Sequence, residues 1–225
     1  FIAAKKISKE LDKKISLISV KSQKLKSTWK FLTKLKNEPL SVPNEGLIYL
    51  VCKKMSKNNK IVLTGEGADE IFFGYDQIFR WALCQKKLDL EKFIKIYGYS
   101  NVVKPTNRFV EYVKKLSAKK KVIDFVEDFF YDFHLPTLLR RMDFASMAAS
   151  KEARVPFVTK NIIENLYRKN PKIKINKNFS KIPLRNYIKN INLDFILDSK
   201  KIGFSAETNN KLGKFANYSM FQNMV

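Results

Sequence analysis

No stretch of this chain approaches the roughly 20 consecutive apolar residues of a membrane span, and nothing in it has the layout of a signal peptide. Cysteine is scarce: only Cys52 and Cys84 occur in 225 residues. Both fall on predicted helices, so buried, reduced thiols are expected rather than a disulfide framework, which makes the reading cytoplasmic. Histidine is scarcer still. His134 is the only one, and its neighbours Phe133 and Leu135 mark it for packing rather than chemistry. There is no initiator Met before Phe1, no internal repeat and no low-complexity linker. A fragment is therefore expected.

Acid is also in short supply, with 21 Asp and Glu against 44 Lys and Arg, a net charge of +23. Such a balance suggests nucleic acid or an acidic surface. The excess is mostly lysine, however, spread along the chain and accompanied by many Asn, Ile, Phe and Tyr, all products of A/T-rich codons. Only Lys114, Lys115, Lys119, Lys120 and Lys121 cluster, at the end of a predicted helix, where a solvated face is expected. With 45% hydrophobic residues, the chain is long enough to bury a substantial core, as one large domain or two small ones.

Along the chain, residues 1–14 read as a helix with Ile2, Ala3, Ile7 and Leu11 on one face. Residues 15–20 read as a strand, and 23–36 as a helix that packs through Trp29, Phe31 and Leu32. Two prolines, Pro39 and Pro43, fix a loop. Residues 45–56 form a further helix and 60–64 a buried strand. This alternation predicts an α/β layer with a parallel sheet. After Trp81 the segments 88–97, 108–116, 122–133, 137–149, 161–168 and 182–188 all suit helices, with no convincing strand. Residues 169–180 suit a polar surface loop. The domain reading is a truncated α/β nucleotide-binding layer over 1–82 and a helical part of the same domain over 83–225. Asp124, Glu127 and Asp128 are expected on a solvated acidic face, and Met142 and Met147 in the core.

The densest information lies in Ile61-Val62-Leu63-Thr64-Gly65-Glu66-Gly67-Ala68-Asp69-Glu70-Ile71-Phe72. It reads as a strand, a turn and a helix start. Gly65 and Gly67 allow tight backbone and a close ligand, and the helix N-terminus favours phosphate. Glu66, Asp69 and Glu70 would repel phosphate unless a divalent cation or a nearby lysine stands between them. Glu70 alone also fits an ordinary first-turn acid.

Three ordered segments carry a family resemblance. Thr64 to Glu70 with Gly74-Tyr75 is similar to the S/T-G-E-G-x-D-E-x-x-x-G-Y signature of the asparagine synthetase family. Asp143 to Ala148, running into Glu152-Ala153-Arg154-Val155-Pro156-Phe157, resembles its D-R-M-S-M-A…E-x-R-V-P-F-L-D segment. Lys200-Lys201-Ile202-Gly203-Phe204 resembles its late K-K-x-G-F motif. The resemblance spans nearly the whole chain. It implies the synthetase domain of a glutamine-dependent ligase of asparagine biosynthesis, with an ATP-pyrophosphatase (adenine nucleotide α-hydrolase-like) fold. ATP and Mg2+ are the implied cofactors. ATP adenylates the aspartate side chain, and glutamine-derived ammonia then gives asparagine, AMP and pyrophosphate.

By this resemblance Glu66 and Lys201 are catalytic. Glu66 lies beside the acyl-adenylate as base or nucleophile guide, and Lys201 steadies the α-phosphate and leaving pyrophosphate. Thr64, Gly65, Asp69 and Lys201 bind ATP and pyrophosphate, and Asp69 is the magnesium ligand. Glu70 and Tyr75 line the amino-acid side of the cleft. Asp143 and Arg154 hold signature positions, with a buried ion pair as an equal alternative for Arg154.

Relative to the family pattern, the S-G-G-x-D-S loop and the glutaminase domain are missing, and neither cysteine replaces the glutaminase nucleophile. Phe1 to Ala4 look like the residues that follow the loop, so the fragment alone is expected to be inactive. Residues 22–39 are too few for the usual strand and helix. Phe73 replaces the first glycine of G-G-Y, Phe144 a basic residue, and Thr159 an aspartate. A homodimer is compatible with the resemblance. The alternatives are a degenerate non-catalytic relative and a sister acyl-adenylate enzyme of the β-lactam synthetase kind.

Overall fold

A computed structural model of the chain describes residues 2–97 and 105–197. In chain order they form α1 (Ile2–Glu10), α2 (Ser22–Lys36), α3 (Asn44–Lys54), β1 (Ile61–Leu63), α4 (Ala68–Ile71), α5 (Asp76–Cys84) and α6 (Leu90–Tyr97). Then come α7 (Asn107–Ser117), α8 (Val122–Phe129), a π turn (Phe130–His134), α9 (Leu135–Met147), β2 (Glu152–Arg154), α10 (Lys160–Leu166) and α11 (Ile182–Asn190). The architecture is a small parallel sheet among helices, the partial α/β layer with a helical half that the sequence indicates. Two compact units divide the described residues. One draws on 2–64, 140–154 and 192–197, and the other on 65–97, 105–139 and 155–191.

The first unit holds the sheet. β1 and β2 run parallel, with Ile61 opposite Glu152, Val62 opposite Ala153 and Leu63 opposite Arg154. β2 corrects the expectation of no strand after Trp81. Its Glu-Ala-Arg sequence carries no apolar alternation, and it is a strand because β1 supplies the ladder. β1 is not the buried strand expected: Ile61 is 42% exposed and Leu63 70%. Residues 15–20, expected as a strand, are in neither helix nor strand and have no ladder partner among the described residues. An isolated run of β-formers has nothing to bond its backbone to, and so makes no sheet.

Behind the sheet, Trp29, Leu25 and Leu32 of α2 pack with Leu40 and Leu50, and partly buried Phe144 closes that cluster. Ile48 and Cys52 of α3 meet Met142, Ala145 and Ala149, with Val62 and Ala153 against them. The loop before α3 is held by more than its prolines. The buried Glu45 carboxylate accepts from the Ser41 N–H at 2.6 Å, and Trp29 Nε1 donates to the Pro43 carbonyl at 2.8 Å. Lys151, also buried, donates to the Ser56 and Asn59 carbonyls at 2.7 and 2.6 Å. Helix α1 has no buried residue, and its Ile2 is 86% exposed. Phe31 and Met147, both expected to pack inside, are exposed.

The second unit is built on aromatic rings. Phe73, Phe79, Phe93, Phe125, Phe129 and Phe130 are all buried in one cluster. Offset and edge contacts between rings add to burial here: Phe73 stacks on Phe79 at 3.9 Å between centroids, and Phe93 meets Phe129 edge-on at 5.0 Å. The expected solvated acidic face is corrected in this unit. Glu127 and Asp128 are buried. Lys174 pairs with Glu127, while Lys120 and Arg168 pair with Asp128. Residues 169–180 are therefore not simply a surface loop. They contain a 3-10 turn, Pro171–Ile173, and send Lys174 and Ile175 inside. A charge can be buried when a partner and hydrogen bonds meet it, and one sequence does not show that the partner lies 47 residues away. No described helix is long and apolar enough to cross a membrane.

Candidate active site

The sheet delivers the chain into the motif turn. Thr64, directly after β1, donates its N–H to the Arg154 carbonyl at 3.0 Å. In the second unit the two motif glycines do different things. Gly67 has φ +89°, and a Cβ there would stand 2.3 Å from Val158 Cγ2. It is required twice over, by backbone and by space. Gly65 needs neither allowance, and a Cβ there would meet nothing within 4 Å. Open space lies beside that backbone. Helix α4 is a single turn, so the dipole available to an anion is small, contrary to the sequence expectation.

The three motif acids part company. Asp69 is half-exposed and its Oδ1 lies 2.9 Å from Lys181 Nζ. This supplies the nearby lysine that three carboxylates at one turn require. Lys181 immediately precedes Ile182-Pro183 at the start of α11, and its own N–H donates to the Phe72 carbonyl at 3.1 Å. The proline at the helix start was the available sequence signal, and it marks an N-terminus rather than a site. Gly74 makes the pair possible: a Cβ there would lie 1.9 Å from Asp69 Oδ1 and 2.3 Å from Lys181 Cε.

Glu70 is not an ordinary first-turn acid. It is 1% exposed, and its Oε1 accepts from the Tyr75 hydroxyl at 2.8 Å. Burial pushes its carboxyl above the usual range; the Tyr75 bond opposes this, while Asp69 and Glu66 add to it. Glu66 is half-buried beside them. His134, read from sequence as packing, lies with Nε2 3.1 Å from the Tyr75 hydroxyl and Nδ1 2.8 Å from the Tyr97 hydroxyl. No motif announces His134 or Tyr97. Only the folded chain brings them to Tyr75 and Glu70.

Other sequence candidates stand elsewhere. Lys201 and the rest of the Lys200–Ser205 motif lie outside the described residues. Asp143 is exposed. Arg154 is exposed and pairs with Glu152 at 2.8 Å, so it is not a buried ion pair. Thr159, standing where the resemblance has aspartate, accepts the Ile162 N–H and caps α10, a task either residue performs. Phe73, in place of a glycine, takes φ +58°. Cys52 is buried, with its thiol pushed up by burial, but Cys84 is exposed. Among the described residues no three His, Cys, Asp or Glu side chains converge as a metal site. Asp69 already faces the Lys181 ammonium, so the described residues do not fit a resident magnesium ion.

The family model for asparagine synthase matches residues 1–220. The chain belongs to the asparagine synthase family. Within the family it is similar to asparagine synthetase [glutamine-hydrolyzing] 3 of Bacillus subtilis (strain 168), 27% identical over 170 residues, covering 67% of this chain and 27% of that protein. It is also similar to asparagine synthetase [glutamine-hydrolyzing] 1 of the same organism, 26% identical over 226 residues, covering 80% of this chain and 35% of that protein. The chain thus spans about a third or less of these relatives. No solved structure gives a significant match.

Proposed function

We propose that the chain is the synthetase part of an ATP-dependent amide-forming ligase acting on aspartate. A side-chain carboxylate oxygen of aspartate attacks the α-phosphorus of ATP, the α–β phosphoanhydride bond breaks, and pyrophosphate leaves. Ammonia, drawn from glutamine by a glutaminase domain, then attacks the acyl carbon, AMP leaves, and a carboxylate takes the proton. Glu66 serves the second step. Gly65 gives the nucleotide backbone to lie against, with Thr64 before it. Asp69 and Lys181 face the phosphates, the ammonium offsetting the acids as charge builds on pyrophosphate. Glu70 and Tyr75 orient the amino acid, and Lys201 completes the phosphate contacts. A cytoplasmic, homodimeric enzyme is the setting of this reading.

The observation that carries it is the Asp69–Lys181 pair in the same motif as the open backbone of Gly65. It resolves the repulsion that otherwise argues against phosphate at this turn. A second reading, a non-catalytic relative, draws on Phe144. That ring joins a hydrophobic cluster where the resemblance has a basic residue. The discriminating experiment is pyrophosphate release by the full-length protein with ATP, with and without aspartate, in wild type and Glu66→Gln. Aspartate-dependent release that the variant loses supports the ligase; no release under any condition supports the non-catalytic relative.

A further inference from the structure

His134 is the chain's single histidine, and the amide-forming reading gives it no part. Its setting is nevertheless built. At Phe130 the regular α8 widens into a π turn, closed by the Leu135 N–H on the Phe130 carbonyl, and α9 follows at once. One-turn π widenings are rare and concentrate at functional sites, because they turn a side chain out of helical register. This one ends on His134. The imidazole is held edge-on between two phenol rings, Tyr75 at 5.3 Å and Tyr97 at 5.5 Å between centroids. Phe130 covers it at 4.9 Å.

The hydrogens can be counted. A carboxylate only accepts, and a tyrosine hydroxyl has one hydrogen to give. The Tyr75 hydroxyl donates to Glu70 Oε1, so its oxygen is left to accept from His134 Nε2. That nitrogen therefore carries a hydrogen. In the neutral ring Nδ1 is the acceptor, and the Tyr97 hydroxyl donates to it. The direct approach of Nε2 to Glu70 Oε1, 3.6 Å, is too long to compete as a hydrogen bond. With an ionised Glu70 and a neutral imidazole, these three bonds run in one direction, from Tyr97 through His134 and Tyr75 to Glu70.

We infer that Tyr97 and His134 are positioning residues, which lock the Tyr75 hydroxyl as a donor to Glu70 and so fix the Glu70 carboxylate for the amino-acid substrate. The direction of the chain rests on the geometry of these bonds and on those two protonation states. Its consequence for substrate rests on the amide-forming reading. Glutamine at 134 offers one donor and one acceptor, as a neutral imidazole does, but carries no exchangeable charge. Leucine at 134 offers neither and frees the Tyr75 hydroxyl to turn away.

Two measurements on the full-length protein test this. The first labels histidine with 15N and identifies His134 as the signal lost in His134→Gln. The expected spectrum has hydrogen on Nε2 alone, in one fixed tautomer, and Tyr75→Phe converts it to an averaged pair. An averaged signal in the wild type, or hydrogen on Nδ1, overturns the inference. The second is kinetic. His134→Leu should raise the KM for aspartate about five- to tenfold, the size of one lost hydrogen bond, with a smaller change in kcat and an unchanged KM for ATP. His134→Gln should restore the KM. A Gln variant as impaired as Leu, while both unfold at the wild-type temperature, would make His134 a proton carrier and overturn the positioning role. The tautomer decides the inference even if no pyrophosphate is released, an outcome that refutes only the amide-forming reading.

Discussion

Replacing Lys174 by methionine should destabilise the second unit severely, and replacing Glu127 as well should restore most of the loss. Lys174 is fully buried, Glu127 is 3% exposed, and the two are paired. Burial pushes the lysine down and the glutamate up, each against the pull of its partner, so desolvation is the larger effect at both ends. Methionine keeps the length and the packing on Phe73, whose ring centroid lies 3.8 Å from Lys174 Nζ. It leaves the Glu127 carboxylate with the Arg168 N–H at 3.2 Å, and the Leu166 carbonyl, which loses the ammonium at 3.0 Å, keeps the Lys169 N–H at 3.3 Å. Breaking a buried pair by removing one partner costs about 3–5 kcal/mol, whereas exchanging both for apolar groups is often neutral or better. For a chain of this size about 1 kcal/mol moves Tm by roughly 2–4 °C, so Lys174→Met should lower it by about 6–20 °C. Lys174→Met with Glu127→Leu should recover all but the Arg168 N–H, whose acceptor is then gone, about 1–3 kcal/mol. Thermal and urea unfolding of the four members of this double-mutant cycle measure both quantities. A single variant within about 1 kcal/mol of wild type, or a double variant no better than the single, would refute the reasoning.

Three more outcomes are expected. Gly74→Ala should separate Asp69 from Lys181, since the new methyl overlaps both; pyrophosphate release should fall more than tenfold while Tm changes little, and an active variant would show the pair to be dispensable. Phe73→Gly should be about 1 kcal/mol more stable than Phe73→Ala, because only glycine takes a positive φ without strain, and equal urea midpoints would contradict this. Glu70→Gln should gain stability relative to wild type as pH rises from the ordinary glutamate range. The folded carboxyl holds its proton more tightly than the unfolded one, so its contribution is full at low pH and lost as pH climbs through the raised value. A difference between the two proteins that stays constant from pH 4 to 7 would count against a raised Glu70.

What the sequence showed of the site was its local part. Gly65 to Glu70 is one contiguous turn, so residue order alone names its acids, and the surplus of carboxylates already called for a cation. Which cation answers is a tertiary matter. Lys181 stands more than a hundred residues away and looks like one lysine among many. His134 is similar: its flanking apolar residues predict packing, and the π turn that rotates it toward Tyr75 has no compositional mark. Helices α2, α3 and α7 were legible because their apolar spacing is their own property. β2 was not, because Glu152-Ala153-Arg154 is a strand only through β1. Glu127 and Asp128 misled for the same reason, charges that read as solvated until Lys174 and Arg168 are seen beside them.

Phe73 also couples three positions to one another. Where the resemblance has glycine, this chain has a buried ring in a left-handed conformation, stacked on Phe79 and capped by the Lys174 ammonium. A reversion to glycine would relax the backbone but strip Lys174 of one face of its enclosure, and Lys174 in turn neutralises Glu127. The three positions are thus interdependent, and none can drift alone. A residue that departs from the motif at one position thus ties the backbone of the turn to the charge state of the interior, and its exchange is also an exchange of the Lys174 environment.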